Sequence, residues 1–284
     1  MKLRLIVKLL LLVFSVSVIS CKKDDDNSAS DDNSGNNNSG NNNGAGNTTA
    51  AAHSCGASNV HNPTISYGTM TDQEGNTYKT VVIGEQEWMA ENLNTGVYRN
   101  GDEIPEVPGA DDWDGFTEGA WVYQNNDINL ACPFGKLYNW VACDDSRGLC
   151  PSGWHVPDNG EWRALISYLD PSASANNNWS NLAGDALKST GTIEEGTGWW
   201  HPELFGEGTL NNTNSSGFSG IPGDHRYAGG TFYEIGYLGG WWSSTGVEWP
   251  AVTMRSVLTL DSGPSAGFGY KPYLNAYSVR CIRD

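Results

Sequence analysis

Cysteine, histidine, serine and carboxylate side chains are the groups here whose types and spacing could do chemistry. The densest cluster is "LCPSGWHVPDNGEWRALISYL", Leu149 to Leu169, with Cys150, His155 and Glu161. A histidine within reach of a nucleophile can serve as a general base. His155 stands between Trp154 and Val156 just ahead of a helix start, a frame that suits a hydrogen-bonded core group better. A nucleophile elbow needs G-x-S-x-G, and "SGFSG" at Ser216 to Gly220 is one residue short, with no amphipathic helix after it. Glu194 and Glu195 are adjacent, so in an extended chain they point apart. Calcium calls for six to eight oxygens from a curved loop. Neither Asp111-Asp112-Trp113-Asp114 nor Asp144-Asp145 fits the EF-hand pattern. No catalytic residue, metal ligand or cofactor site is assigned.

Aromatic residues are the remaining signal, with twelve tryptophans. Trp88, Trp140, Trp154, Trp162, Trp241 and Trp242 lie in motif-like stretches where core packing is the default. Trp113 among aspartates, Trp199 and Trp200 before His201 and Pro202, and Trp249 before Pro250 sit in loop-like sequence. A loop tryptophan stacks on a sugar ring or anchors a protein partner, so these four are the ligand-binding candidates.

The chain opens with Lys2, Arg4 and Lys8, then an apolar run from Leu9 to Ile19 that stops at Cys21. This reads as a secretion signal over residues 1–20, too short to span a bilayer. Val18-Ile19-Ser20-Cys21 resembles a bacterial lipoprotein cleavage box, which makes Cys21 the expected lipidation site. Lys22-Lys23-Asp24-Asp25-Asp26 resembles the tag on surface-exported lipoproteins of the Bacteroidetes type. From Asn27 to Ala52 the chain is almost all Asn, Ser, Gly, Asp, Thr and Ala, with no large apolar residue to offset the entropy of ordering, so residues 21–54 are expected to be the lipidated cysteine and its tether. They read as a flexible tether reaching ~30 Å. The expected location is the outer membrane, lipid-anchored and facing the exterior.

Without the three basic residues of the signal, 13 basic side chains face 33 acidic ones, a formal charge of −20. That sign excludes nucleic acid and an anionic membrane surface as partners; contact with the membrane is expected through the lipid alone. With Cys21 lipidated, Cys55, Cys132, Cys143, Cys150 and Cys281 remain, an odd number. No C-x-x-C pair exists, which removes zinc-ribbon and thioredoxin-like readings. Connectivity is not readable from sequence. A Cys150–Cys281 bridge would close a loop of about 130 residues, worth at most ~5 kcal/mol in the chain-entropy model. The spacing also allows Cys132 to pair with Cys143, leaving Cys55 alone.

Residues 55–284 are long enough for one domain with a real core. "GNTYKTVVIGEQEWMAENL" predicts strands over Thr77–Ile83 and Gln86–Leu93 around a Gly84-Glu85 turn. Residues 94–129 are loop-like, with a short strand in "GAWVYQNND", and "GKLYNWVAC" predicts a short helix. Asp158 and Glu161 form a D-x-x-E capping box, and Trp162, Leu165, Ile166 and Leu169 follow at i, i+3, i+4, i+7, so a helix starts at Asp158. "NLAGDALKS" predicts a second, shorter helix. After Ser189 short apolar bursts alternate with Gly- and Asn-rich loops, an α+β pattern rather than a βαβ one.

"DQEGNTYKTVVIGEQEWMAENLN", "KLYNWVA", "LCPSGWHVPDNGEW", "SGFSGIPGDHRYAGGTFYEIGYLGGWWSST" and "YSVRCIRD" together resemble the Fibrobacter succinogenes major paralogous domain over residues 66–284. Members are typically exported or lipidated and have no firmly assigned activity. More distantly, "GWHVPDNGEWRAL" with "SVRCIRD" is similar to the formylglycine-generating enzyme domain. That resemblance implies a C-type-lectin-like fold with two main helices, short antiparallel strands and long loops. The enzyme's oxidation chemistry uses two cysteines near the C-terminal signature, and only Cys281 is present here. A structural Cys150–Cys281 disulfide is the expectation in an exported protein. The expected function is therefore a surface-tethered, non-enzymatic binding module whose loops at 94–129 and 191–214 contact glycan or polysaccharide. A surface protein partner or a structural role is the alternative, and a formylglycine-generating-enzyme-like oxidoreductase a distant third.

Overall fold

In the computed structural model the described residues are 60–173, 179–191, 198–199, 212–233, 235–249, 252–261 and 263–284, with only the backbone at 247–249, 252 and 253. The signal, Cys21, the tether, Cys55, Glu194, Glu195 and Trp200 lie outside them.

Strands β1 (Gly68–Thr71), β2 (Thr77–Ile83) and β3 (Gln86–Met89) form an antiparallel meander. The β-branched run makes β2, and Gly84, at φ +63, makes the turn out of it. Strand β3 stops at Met89, short of the expected Leu93: Ala90 N–H still donates to Lys79 O in the register of β2, but Leu93 N–H has turned away from β2 and donates to Val279 O. The long loop that follows contains one turn of helix, α1 (Ala110–Trp113), before β4 (Trp121–Tyr123).

A short α2 (Ala131–Phe134) leads into β5 (Lys136–Asn139) and α3 (Trp140–Cys143). The predicted helix over "GKLYNWVAC" is thus half strand. Helix begins only where the Asn139 side chain accepts from Ala142 N–H and caps it. Then come β6 (Trp154–His155) and the main helix α4 (Asn159–Leu169). The capping box forms at Asp158: its carboxylate accepts from Glu161 N–H at 2.9 Å, and Glu161 accepts from Asp158 N–H at 2.8 Å. Trp162, Leu165 and Ile166 are buried.

The remainder is β7 (Trp179–Ser180), α5 (Ala183–Leu187), β8 (Gly239–Trp249), β9 (Val252–Leu260), β10 (Ala266–Pro272), β11 (Ala276–Tyr277) and β12 (Ile282–Arg283). Three sheets result, ordered β1-β2-β3-β12-β6, β7-β10-β9-β8 and β11-β5-β4, with antiparallel pairing throughout. The fold is α+β.

A disulfide joins Cys150 to Cys281 across 131 residues, with a Cα–Cα distance of 6.0 Å. Cys281 precedes β12 and Cys150 precedes β6, so the bond clamps the final strand where it pairs with β6 on one side and β3 on the other. The Cys132–Cys143 pairing is corrected: Cys143 is a buried free thiol, and Cys132 is disulfide-bonded elsewhere. Cys143 closes the one-turn helix α3 after β5, while Cys132 belongs to α2 before it. Burial raises the Cys143 thiol pKa well above its ordinary value, with Asp144 adding to the effect.

Candidate functional site

The loop tryptophans expected to meet ligand serve the core instead. Trp113 is 1% exposed; its indole N–H donates to Leu274 O at 2.9 Å, and it packs with Val107, Val122 and Leu137. Trp199 is 0% exposed, donates to Gly220 O and packs with Leu187, Trp241 and Leu260. Both are corrected: neither ring offers a face to a ligand. Trp200 lies outside the described residues, and Trp249 ends β8 opposite Val252 with only its backbone described. Among the described residues Trp179, on β7, is the tryptophan with an exposed ring.

The exposed aromatic display lies instead in "GDHRYAGGTFY". A tight hairpin is made there by the Arg226–Phe232 bridge and by Tyr227 N–H donating to Thr231 O at 2.8 Å. Gly230 makes its turn at φ +81, where a Cβ would meet Ala110 Cα at 2.6 Å, so this position requires glycine. Arg226 fixes the hairpin from beneath. Its side chain is fully buried and donates to Gly230 O, Val107 O, Pro108 O and Gly109 O at 2.7–3.0 Å. The guanidinium lies 4.7 Å from the Trp113 ring and 5.0 Å from that of Phe232. Burial pushes the Arg226 pKa down to about 10.

On this base Tyr227 and Tyr233 each remain 43% exposed, with ring centroids 6.3 Å apart and planes at 70°. Beneath them His225 is stacked between Tyr233 and Tyr277, at 5.5 and 4.7 Å with planes 13° and 11° from parallel, and Tyr227 meets its edge at 4.6 Å. His225 Nδ1 hydrogen-bonds the buried Asp224 carboxyl, which burial raises above its ordinary pKa against the opposing pull of His225.

Beside this ledge is a cleft of about 380 Å³ lined by Trp140, Asp144, Asp145, Ser146, Arg255 and Tyr273. Arg255 stacks on Trp140 at 3.8 Å, while Asp145 is held by Arg147 at 2.8 Å, which lowers its carboxyl pKa. The turn after β10 connects the two: Tyr273 O accepts from Trp140 N–H on the cleft side, and the Asn275 side chain accepts from Ala228 N–H on the ledge side.

His155 is tied by Nε2 to Glu161 at 2.8 Å and by Nδ1 to Asp284 at 2.7 Å, so it fastens the helix cap to the chain's last described residue. A second network joins His61 to Ser219 and to Glu91, both at 3.2 Å. Ser219 is wholly buried and also accepts from the Asn214 side chain, so this group locks a turn. Among the described residues no three His, Cys, Asp or Glu side chains are grouped to hold a metal ion, and no helix is long and apolar enough to cross a membrane.

The sequence signal for the ledge was present as two tyrosines six positions apart around Ala228-Gly229-Gly230. Its exposure was not readable without the Arg226 clamp. No curated protein and no solved structure is significantly similar to the chain. Residues 81–283, which hold the clamp, the ledge, the cleft and the disulfide, match the model of the Fibrobacter succinogenes major domain, and the chain belongs to that family.

Proposed function

We propose that this chain is a surface-tethered, non-enzymatic binding module of C-type-lectin-like fold that recognises a glycan or polysaccharide. The observation that carries the reading is the ledge: two half-exposed tyrosine rings held rigidly by Arg226, next to a polar, aromatic-floored cleft. Tyrosine supplies a ring face and a hydroxyl at low entropic cost, which suits the alternating CH faces and hydroxyls of sugars. Arg255 and Asp144 offer the cleft a donor and an acceptor for hydroxyl groups. A cleft of this size lies within the range of small-ligand sites.

The acidic chain and the lipoprotein-like leader support an outer-membrane, exterior setting, with Cys21 as anchor and residues 21–54 as tether. Affinity electrophoresis against a polysaccharide panel tests the binding. At least one polysaccharide retards the wild-type domain, and Tyr227→Ala with Tyr233→Ala abolishes the retardation while the melting temperature holds. Retardation unchanged by both substitutions removes the ledge from the account.

A further inference from the structure

Most arginines of the described chain have spent their donors. Arg99, Arg226 and Arg280 donate to backbone carbonyls, Arg280 to Asn92 as well, and Arg147 and Arg283 pair with carboxylates. Arg255, on the wall of the cleft, is different. Of its five N–H donors one is used, by Nη1 on the adjacent Met254 O at 3.0 Å, and it forms no ion pair among the described residues. Its Nε is enclosed without a partner, whereas Nη2, equally unbonded, is not enclosed and so opens on solvent at the cleft. The group is also held still: it lies 3.8 Å from the Trp140 ring, and a Cβ at Gly246, its partner on β8, would meet Cζ at 3.0 Å. An oriented guanidinium presents its free edge to a planar, two-oxygen group.

A second cation stands opposite. Lys271 on β10 is in register with Arg255 on β9, so both side chains leave the same face of the sheet with Cβ atoms ~5 Å apart, and like charges so placed destabilise a sheet. Lys271 likewise forms no ion pair among the described residues, in a chain with 33 acidic and 16 basic side chains. Its field reaches Asp224 under the tyrosine ledge. Within the cleft Asp145 is taken by Arg147, and Asp144 balances Arg255, so Lys271 leaves a local surplus of one positive charge. At physiological salt exposed charges beyond ~8 Å are largely screened, so this surplus outweighs the formal charge of −17 on the whole chain.

We propose that the cleft takes the carboxylate of a uronic acid residue, so that the module recognises acidic glycans. Arg255 and Lys271 hold the carboxylate, and Asp144, Ser146 and Tyr273 meet the ring hydroxyls. An isolated sugar carboxylate differs from duplex nucleic acid, whose one charge per ~1.7 Å keeps it excluded. The inference rests on the glycan reading above and names its ligand class.

NMR titration of the full chain with glucuronate and galacturonate, their methyl esters, and glucose and galactose tests it. At least one uronate should bind about tenfold more tightly than its ester and its neutral sugar, the worth of one charge-assisted hydrogen bond. Arg255→Gln should cut that preference to about twofold or less. Lys271→Gln, at a half-buried position that stacks on no described ring, serves if Arg255→Gln fails to fold; it should lower the preference about threefold. Equal binding of acid, ester and neutral sugar overturns the uronate assignment, as does a preference that both substitutions leave intact. Acetate bound as tightly as the uronate overturns the assignment to sugars. If no monosaccharide binds, the inference falls, and retardation by a polysaccharide in affinity gels would still uphold the glycan reading. A uronate preference with no polysaccharide retarded upholds the carboxylate site and removes the polysaccharide reading.

Discussion

Replacing both Cys150 and Cys281 with alanine removes the clamp on the last strand without leaving an unpaired thiol. The bridge spans 131 residues, so the chain-entropy model gives a loss of ~5 kcal/mol at 25 °C. Both cysteines are buried, at 1% and 0% exposure, so the variant also loses packing around Met89 and Val279. For a domain of this size each 1 kcal/mol moves the melting temperature ~2–4 °C, so the midpoint should fall ~10–20 °C. Calorimetry and urea unfolding, without reductant, read this out, and the urea slope shows whether the two-state assumption holds. A loss under ~1 kcal/mol with an unchanged slope would refute the reasoning, because β12 would then be held by its pairing with β3 and β6 alone.

Other outcomes follow from the same geometry. Trp113→Ala and Trp199→Ala should each destabilise the fold by ~3–5 kcal/mol, as buried large-to-small changes do, and unchanged urea midpoints would return these rings to the ligand-binding list. Burial works against the charge on His155, yet its bonds to Asp284 and Glu161 prevail and raise its pKa. Its contribution is therefore full below about pH 6.5 and fades as pH rises through the raised folded value, so His155→Gln should cost more at pH 5 than at pH 9; the reverse order in urea midpoints would contradict it. Because its thiol is buried, Cys143 should resist iodoacetamide in the native protein at pH 8 and react in urea, as peptide mass spectrometry would show; rapid native labelling speaks against the described packing. Arg226→Met keeps bulk but drops the bonds to Gly230 O, Val107 O, Pro108 O and Gly109 O. It should raise hydrogen exchange at Tyr227 to Thr231.

What the sequence made legible was local. The capping box at Asp158, the apolar stripe of the main helix and the β-branched run of the second strand each follow from residues within a few positions. Burial set by distant partners was not legible. Trp113 sits among aspartates and prolines, the composition of a solvated loop, yet Leu274, Phe232 and Arg226 come from more than a hundred residues away to cover it. Cys132 and Cys143 are close in sequence, but β5 runs between them and Cys143 stays a free thiol, which their spacing did not reveal. Tyr227 and Tyr233 lay within a quoted motif, but their exposure depends on an arginine whose acceptors are all backbone carbonyls, which no residue pattern announces. The Asp224–His225 pair was equally silent: the two adjacent side chains bond to one another where Asp224 takes a left-handed backbone, which the residue types do not announce.

The most direct test of the binding account is an amide-resolved NMR titration of the domain with whichever oligosaccharide retards it in affinity gels. Shifts concentrated in Asp224 to Tyr233, with weaker ones at Asp144, Arg255 and Tyr273, are the predicted result. Shifts confined to the strand and loop around Trp249 or to residues 191–214, with the tyrosine hairpin silent, would contradict it.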